Sequence, residues 1–404
     1  MQKCELSIIP GANRLQIALS GRIDSTNAED FEHELISARN KRPGGEIALD
    51  CKDLEYISSA GLRVLLKLEK KEKDSLRLIN VSQEVDEILD MTGFSEILNV
   101  SRAMRDISGE AGEFMGESGG IGVYRMPDDA IMKLYPAGTP YETVTREREY
   151  AKVAFVCGVP TLIAYDIVTY KGCYAMLYEF MKSNTASALI DLAPMKLPQI
   201  ATEMGELLRT IHACVPASGA LPRASALFDG WAEGMRKRLS SQEVGTLRRL
   251  VRAIPEADTL VYGNFHARNV FIRKHEAMVI NMSGISCGNP LYDLGMAYTI
   301  HVSEAELLSK PLSGLSAAQA KNLWRHLLPA YLGTNDAEKL KEAEKLIRAA
   351  ALLCSALLPA ALPLPVGSVE QLVAHARRDL IPAADTLADL YRTAKIEIAA
   401  EAEE

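Results

Sequence analysis

The sequence predicts two domains in series: an α/β domain with a mixed sheet and packed helices, then an α+β domain with a small mixed lobe and a large helical lobe. Three observations carry this reading. At 404 residues the chain is too long for one ordinary domain. Strand and helix patterns alternate up to about Val100, whereas strand patterns crowd residues 113–182 and helical patterns fill 183–404. Between them, Ser101 to Gly112 is polar, Gly-containing and mixed in charge, as a linker is. The domains are therefore read as 1–100 and 113–404, joined by 101–112.

The bulk properties exclude several function classes. Hydrophobic residues make up 48% and charged residues 24%, enough for ordinary cores. A net charge of −8 leaves no basic surplus to neutralise phosphates, so no nucleic-acid partner is expected. Seven cysteines, an odd number without a C-x-x-C pair, fit reduced thiols in a cytoplasmic protein better than a disulfide framework or a zinc site. Gln2, Lys3 and Glu5 are polar where a secretory signal needs an apolar run. The uncharged stretch Ala349 to Val366 is interrupted by Pro359, Pro363 and Pro365, so it is read as a buried helix ending near Pro359 and no membrane partner is expected.

In the first domain, Glu5–Ile9 and Leu15–Ser20 read as strands around the turn Pro10 to Asn13. Ser25 is placed to cap a helix starting near Asn27, with Phe31, Leu35 and Ile36 at helical spacing. Glu46–Asp50 is a buried strand, Ala60–Lys71 a helix, Leu76–Val81 a strand, and Val85–Leu89 part of a short helix ending before Gly93. The charge run Glu69 to Asp74 reads as the solvated end of its helix.

The most informative local feature is Tyr56 to Leu66, which follows a strand and opens a helix through Ser58, Ser59, Ala60 and Gly61. A serine there sits beside unpaired N–H groups and the positive end of the helix dipole, where a phosphoryl group is well accommodated. Two readings fit: a helix cap, or a phosphorylation switch that adds charge to a docking surface. The element order and the block Ser59-Ala60-Gly61-Leu62 resemble STAS domains of anti-sigma factor antagonists over about the first 100 residues. The resemblance implies a protein partner, such as an anti-sigma factor that is itself a serine kinase, and a phosphorylated serine. Aligned on Gly61-Leu62, that serine is Ser59; Ser58 stands where the family often has Asp, which leaves Ser58 as the alternative acceptor.

In the second domain, Gly116 to Arg125 is Gly-rich between strand patterns. Its glycines Gly119, Gly120 and Gly122 let a backbone approach phosphates, and a plain surface hairpin explains them equally well. Lys133 then alternates inside the apolar strand Ala130–Tyr135. It is either a buried ammonium needing a partner, for which the helix Glu142–Val156 offers Glu147 and Glu149, or an exposed lysine on an edge strand. Downstream come Leu260 to Ile272, Val279 to Met282 and Pro290 to Gly295.

This succession resembles the aminoglycoside phosphotransferase and choline kinase family, which has the protein-kinase-like fold. The resemblance covers about Glu113 to Val302. It implies ATP and magnesium as cofactors, with Lys133 on nucleotide phosphates, Glu147 holding Lys133, and the hinge Tyr178 to Met181, with Glu179, beside the adenine. Asn269 becomes a magnesium ligand, His266 a structural residue of the catalytic loop, and Asp293 its brace. The family's loop reads roughly H-G-D-x-H-x-x-N, and here Tyr262 replaces the leading His. Asn264 occupies the catalytic Asp position and Asn281 that of the metal-binding Asp. An amide cannot serve as general base, a loss of roughly 10²–10⁴-fold in rate, and a neutral amide oxygen is a poorer ligand for a hard cation. The expectation is a degenerate kinase-like domain that binds a nucleotide or small molecule without transferring phosphate. The rival is an active small-molecule phosphotransferase with a STAS regulatory domain. His212, on an apolar helix, reads as a packed core histidine.

Overall fold

The computed structural model describes residues 4–9, 15–42, 45–72, 75–118, 120–127, 129–181, 184–274 and 276–393. The chain divides into two compact units, Met1–Ser108 and Gly109–Glu404, so the division falls inside the segment read as linker. The turn Pro10 to Asn13 lies outside the described residues.

The first unit is a five-stranded mixed sheet in the order β1 (Glu5–Ile9), β2 (Leu15–Ile23), β3 (Ile47–Ile57), β4 (Leu76–Val81), β5 (Asn99–Arg102). The β1–β2 pair is antiparallel and the remaining pairs are parallel. Strand β5 takes two residues, Ser101 and Arg102, from the segment assigned to the linker. Helices α1 (Ala28–Lys41), α2 (Ser59–Glu72) and α3 (Gln83–Met91) supply Phe31, Leu35, Leu62, Leu65, Val85 and Leu89 to the core.

Two local expectations are corrected. Ser25 does not cap α1: the boundary residue is Asn27, whose amide folds back between the Asp24 N–H (2.9 Å) and the Arg22 carbonyl (2.8 Å), while Asp24 accepts from Thr26. A carboxylate that bonds its own chain two residues on makes a turn in place of a cap. In the run Glu69 to Asp74, Glu69 is buried rather than solvated, because α2 turns that position toward its neighbours.

The second unit opens with a small lobe of antiparallel strands: β6 (Glu113–Ser118), β7 (Ile121–Arg125), β8 (Ala130–Leu134), β9 (Asp166–Tyr170) and β10 (Cys173–Glu179). Their order is β9-β10-β8-β7-β6. Helix α4 (Tyr141–Val156) joins β8 to β9. The large lobe is helical. Its core takes Met204 and Leu208 from α5 (Leu197–Ala213), Leu323 and Tyr331 from Ala317–Leu332, and Leu353 and Leu357 from Ala337–Ala361. That last helix runs through Pro359 and ends two residues beyond it. Among the described residues, no helix is long and apolar enough to cross a membrane.

Candidate functional site

The serine turn of the first unit separates two roles that the sequence left together. Ser58 leaves the end of β3 with its N–H on the Ile23 carbonyl (2.8 Å), and its hydroxyl accepts from the Gly61 N–H (3.4 Å). Ser58 therefore caps α2. Ser59 is the first helical residue and is exposed. Gly61 is required by packing: a Cβ would come within 2.6 Å of Ile23 and 2.8 Å of Ile57, so the helix starts directly on the ends of two strands.

In the second unit, β8 is paired on both sides, by β7 and β10, so Lys133 lies on an interior strand rather than an edge. Its ammonium is buried and sits 2.5 Å from Glu147 of α4. The other Glu147 oxygen accepts from the Tyr135 hydroxyl (2.6 Å). Burial first, then the charge of Glu147, hold that phenol well above its ordinary range, so it stays a donor. Glu149 turns away to Lys152. The Gly-rich stretch is the β6–β7 hairpin; Gly120 takes its turn at φ 81°, and Gly122 is buried under the Tyr124 ring, 2.8 Å from where a Cβ would stand. Gly119 lies outside the described residues. Glu179 ends β10 with an exposed side chain, and the next N–H, of Phe180, bonds the Asp129 carbonyl.

The loop from Tyr262 to Asn269 is fixed from below. Asp293, fully buried on the helix Leu291–Tyr298, accepts from the N–H groups of Tyr262 and Gly263, both at 2.6 Å. It also meets His212 Nε2 at 3.0 Å, and His212 Nδ1 meets the Tyr331 hydroxyl at 2.9 Å. His212 is thus a core residue, and also a link from α5 to the loop brace that no spacing in the sequence announces. Gly263 has φ 86° and a backbone carbonyl 2.6 Å from any Cβ, so only glycine fits. Tyr262 donates its hydroxyl to the Ile280 carbonyl, next to Asn281. The tyrosine in place of histidine thereby ties the loop to the turn that carries Asn281, which is itself left-handed at φ 63°.

A chain of side chains crosses the cleft. Lys133 Nζ donates to Asn281 Oδ1 (3.0 Å), and Asn281 Nδ2 donates to Asn269 Oδ1 (3.0 Å). Asn269 Nδ2 donates to the Asn264 carbonyl (3.0 Å) and lies 3.3 Å from His266 Nε2. The Asn264 side-chain oxygen is buried and has no hydrogen-bond partner among the described residues. The structure thus brings Lys133, Glu147, Asn264, His266, Asn269 and Asn281 together.

The two implied cofactors fare differently against this arrangement. Lysine carries three donors, and Lys133 spends two on Glu147 and Asn281, leaving one for a phosphate oxygen. That fits a nucleotide. Magnesium does not fit: the donor set is three neutral amides with no carboxylate among them, and the oxygens of Asn269 and Asn281 each already accept one hydrogen bond within the protein. Among the described residues, no group of three or more His, Cys, Asp or Glu could hold a metal ion.

Two buried imidazoles are expected to lower the stability of this unit in acid. Burial first, then the positive charge of His301 and Arg268, bring His266 down to about 3; burial brings His301 to about 4. Unfolded, both titrate near 6.5, so below that pH the unfolded chain binds more protons and stability falls as pH drops. The expected loss approaches, for two protons, about 3 kcal/mol per pH unit, read by denaturant melts between pH 6.5 and 5. A flat profile across that window would contradict it.

Residues 3–107 match the STAS domain and residues 119–331 match the phosphotransferase enzyme family, the latter just over half of the chain. The anti-sigma-B factor antagonist of Bacillus subtilis is 30% identical over 92 residues, which are 22% of this chain and 83% of that protein. BtrV of Bordetella bronchiseptica, also named for anti-sigma factor antagonism, is 38% identical over 90 residues, 21% of this chain and 75% of that protein. Among solved structures, a choline/ethanolamine kinase family protein from Mesorhizobium loti is 17% identical, with a TM-score of 0.45, over 71% of this chain and 95% of that one. The chain accordingly belongs to the phosphotransferase enzyme family, in its protein-kinase-like fold, and carries a STAS domain of the anti-sigma factor antagonist type ahead of it.

Proposed function

We propose that this chain is a cytoplasmic signalling regulator. Its STAS domain docks a protein partner, an anti-sigma factor or a related serine kinase, and phosphorylation of Ser59 releases that partner. Its kinase-like domain binds a nucleotide without transferring phosphate. Lys133 holds a phosphate oxygen, Glu147 holds Lys133, the hairpin at Gly120 and Gly122 covers the phosphates, and the strand end at Glu179 borders the base. Asp293 keeps the loop in shape.

The observation that carries this reading is the pair of amides at Asn264 and Asn281. Phosphoryl transfer relies on positioning and on charge stabilisation by metal ions, and here neither a carboxylate base nor a carboxylate metal ligand is present among the three loop positions. The intact Lys133–Glu147 pair and Asp293 brace favour the second reading, an active ATP-dependent phosphotransferase acting on a hydroxyl.

For the STAS domain, the support is an exposed Ser59 beside a Ser58 that already caps the helix. A phosphate on Ser59 sits at a helix N-terminus, where it is tolerated by the fold and felt by a partner. Ser59→Asp is expected to weaken capture of the partner at least tenfold, about 1.4 kcal/mol, while Ser59→Ala retains it and no longer responds to the kinase. Affinity capture followed by titration of the recovered partner measures both. Equal affinity for the two variants would reduce Ser59 to a helix residue.

A further inference from the structure

We infer that Asn281 closes this cleft to divalent cations, so that the nucleotide it accepts is the metal-free anion. The inference rests on the nucleotide-binding reading above and gives it a ligand state.

Orientation of the amides follows from chemistry. The Lys133 ammonium can only donate. Whichever Asn281 atom lies 3.0 Å from it must be oxygen, so the Asn281 nitrogen faces Asn269. Asn269 must then present its oxygen to Asn281 and its nitrogen to the Asn264 carbonyl. The chain of donors runs one way, from Lys133 to Asn264.

A carboxylate at position 281 would change one contact decisively. Its second oxygen would face the Asn269 oxygen, two acceptors with no proton between them, and a cation would relieve the conflict. The amide supplies that proton itself, so the pair is satisfied without a cation. The oxygens still open to a cation, the second lone pairs of Asn269 and Asn281 and the unpartnered Asn264 oxygen, are all neutral amides, so a cation gains no charged ligand here. Rotating the Asn281 amide to expose its oxygen would aim its NH₂ at the Lys133 ammonium, donor against donor. Rotating Asn269 would break its bond to the Asn264 carbonyl. The remaining charges, Lys133 and Glu147, cancel. The ligand is therefore held by the third Lys133 donor.

The test is calorimetric titration of the full chain with ADP, once in a chelator and once in excess Mg²⁺. Unmodified protein is expected to bind ADP with the same or weaker affinity when Mg²⁺ is added. Asn281→Asp is expected to gain a Mg²⁺ dependence of at least tenfold. Unmodified protein that binds ADP tenfold tighter in Mg²⁺ overturns the inference and leaves the nucleotide reading standing. No heat of binding in either buffer overturns the nucleotide reading and the inference with it.

Discussion

Asp293→Ala is expected to destabilise the kinase-like unit by about 3–5 kcal/mol, because each polar group left unpaired in a core costs about 1–3 kcal/mol. Three groups lose their acceptor at once: the N–H of Tyr262, the N–H of Gly263 and the ring of His212. The Tyr262 N–H and the His212 ring have no ready access to water, since Tyr262 and the His212 side chain are buried, while Gly263 is half-buried. For a domain of this size the drop in unfolding temperature is about 10 °C. Calorimetry of the full chain measures it, with the STAS transition as internal control. Asp293→Asn retains one acceptor oxygen and is expected to lose less. A shift under about 2 °C for the alanine variant would mean that Asp293 is not the brace.

Asn264→Asp combined with Asn281→Asp is expected to create magnesium-dependent ATP consumption where the unmodified chain has none. The first change restores a group able to accept a hydroxyl proton, worth roughly 10²–10⁴-fold. The second puts charge back where a hard cation binds and sets two oxygens, at 281 and 269, against each other. Lys133, Glu147 and the Asp293 brace need no change, since they already stand in contact with their partners. Release of ADP in a coupled assay, with and without Mg²⁺, gives the outcome. A double variant that still binds ADP and does not turn over would mean that the loop differs from a working one in more than two carboxylates.

Much of this arrangement is legible in the sequence where the signal is local. The alternation around Lys133 marks it as a charged residue in an apolar strand, and helical spacing offers Glu147; only the packing chooses it over Glu149. The loop-to-helix serines are visible as a pair, but their division into cap and exposed hydroxyl depends on where α2 begins. Ser25 shows the limit of composition: a good capping residue is passed over because Asp24 and Asn27 fold the chain around it into a turn. The His212–Asp293 link joins residues 81 apart, and no spacing in the chain announces it. The one-way chain from Lys133 to Asn264 is likewise hidden, since it needs the lysine of one lobe beside the amides of the other.

The most direct measurement is phosphoryl transfer by the unmodified full chain, with labelled ATP, Mg²⁺ and a panel of hydroxyl-bearing small molecules. The amides at Asn264 and Asn281 predict no label transfer above the protein-free rate with any acceptor. Magnesium-dependent transfer to even one of them would contradict the account and make this chain a working kinase under STAS control.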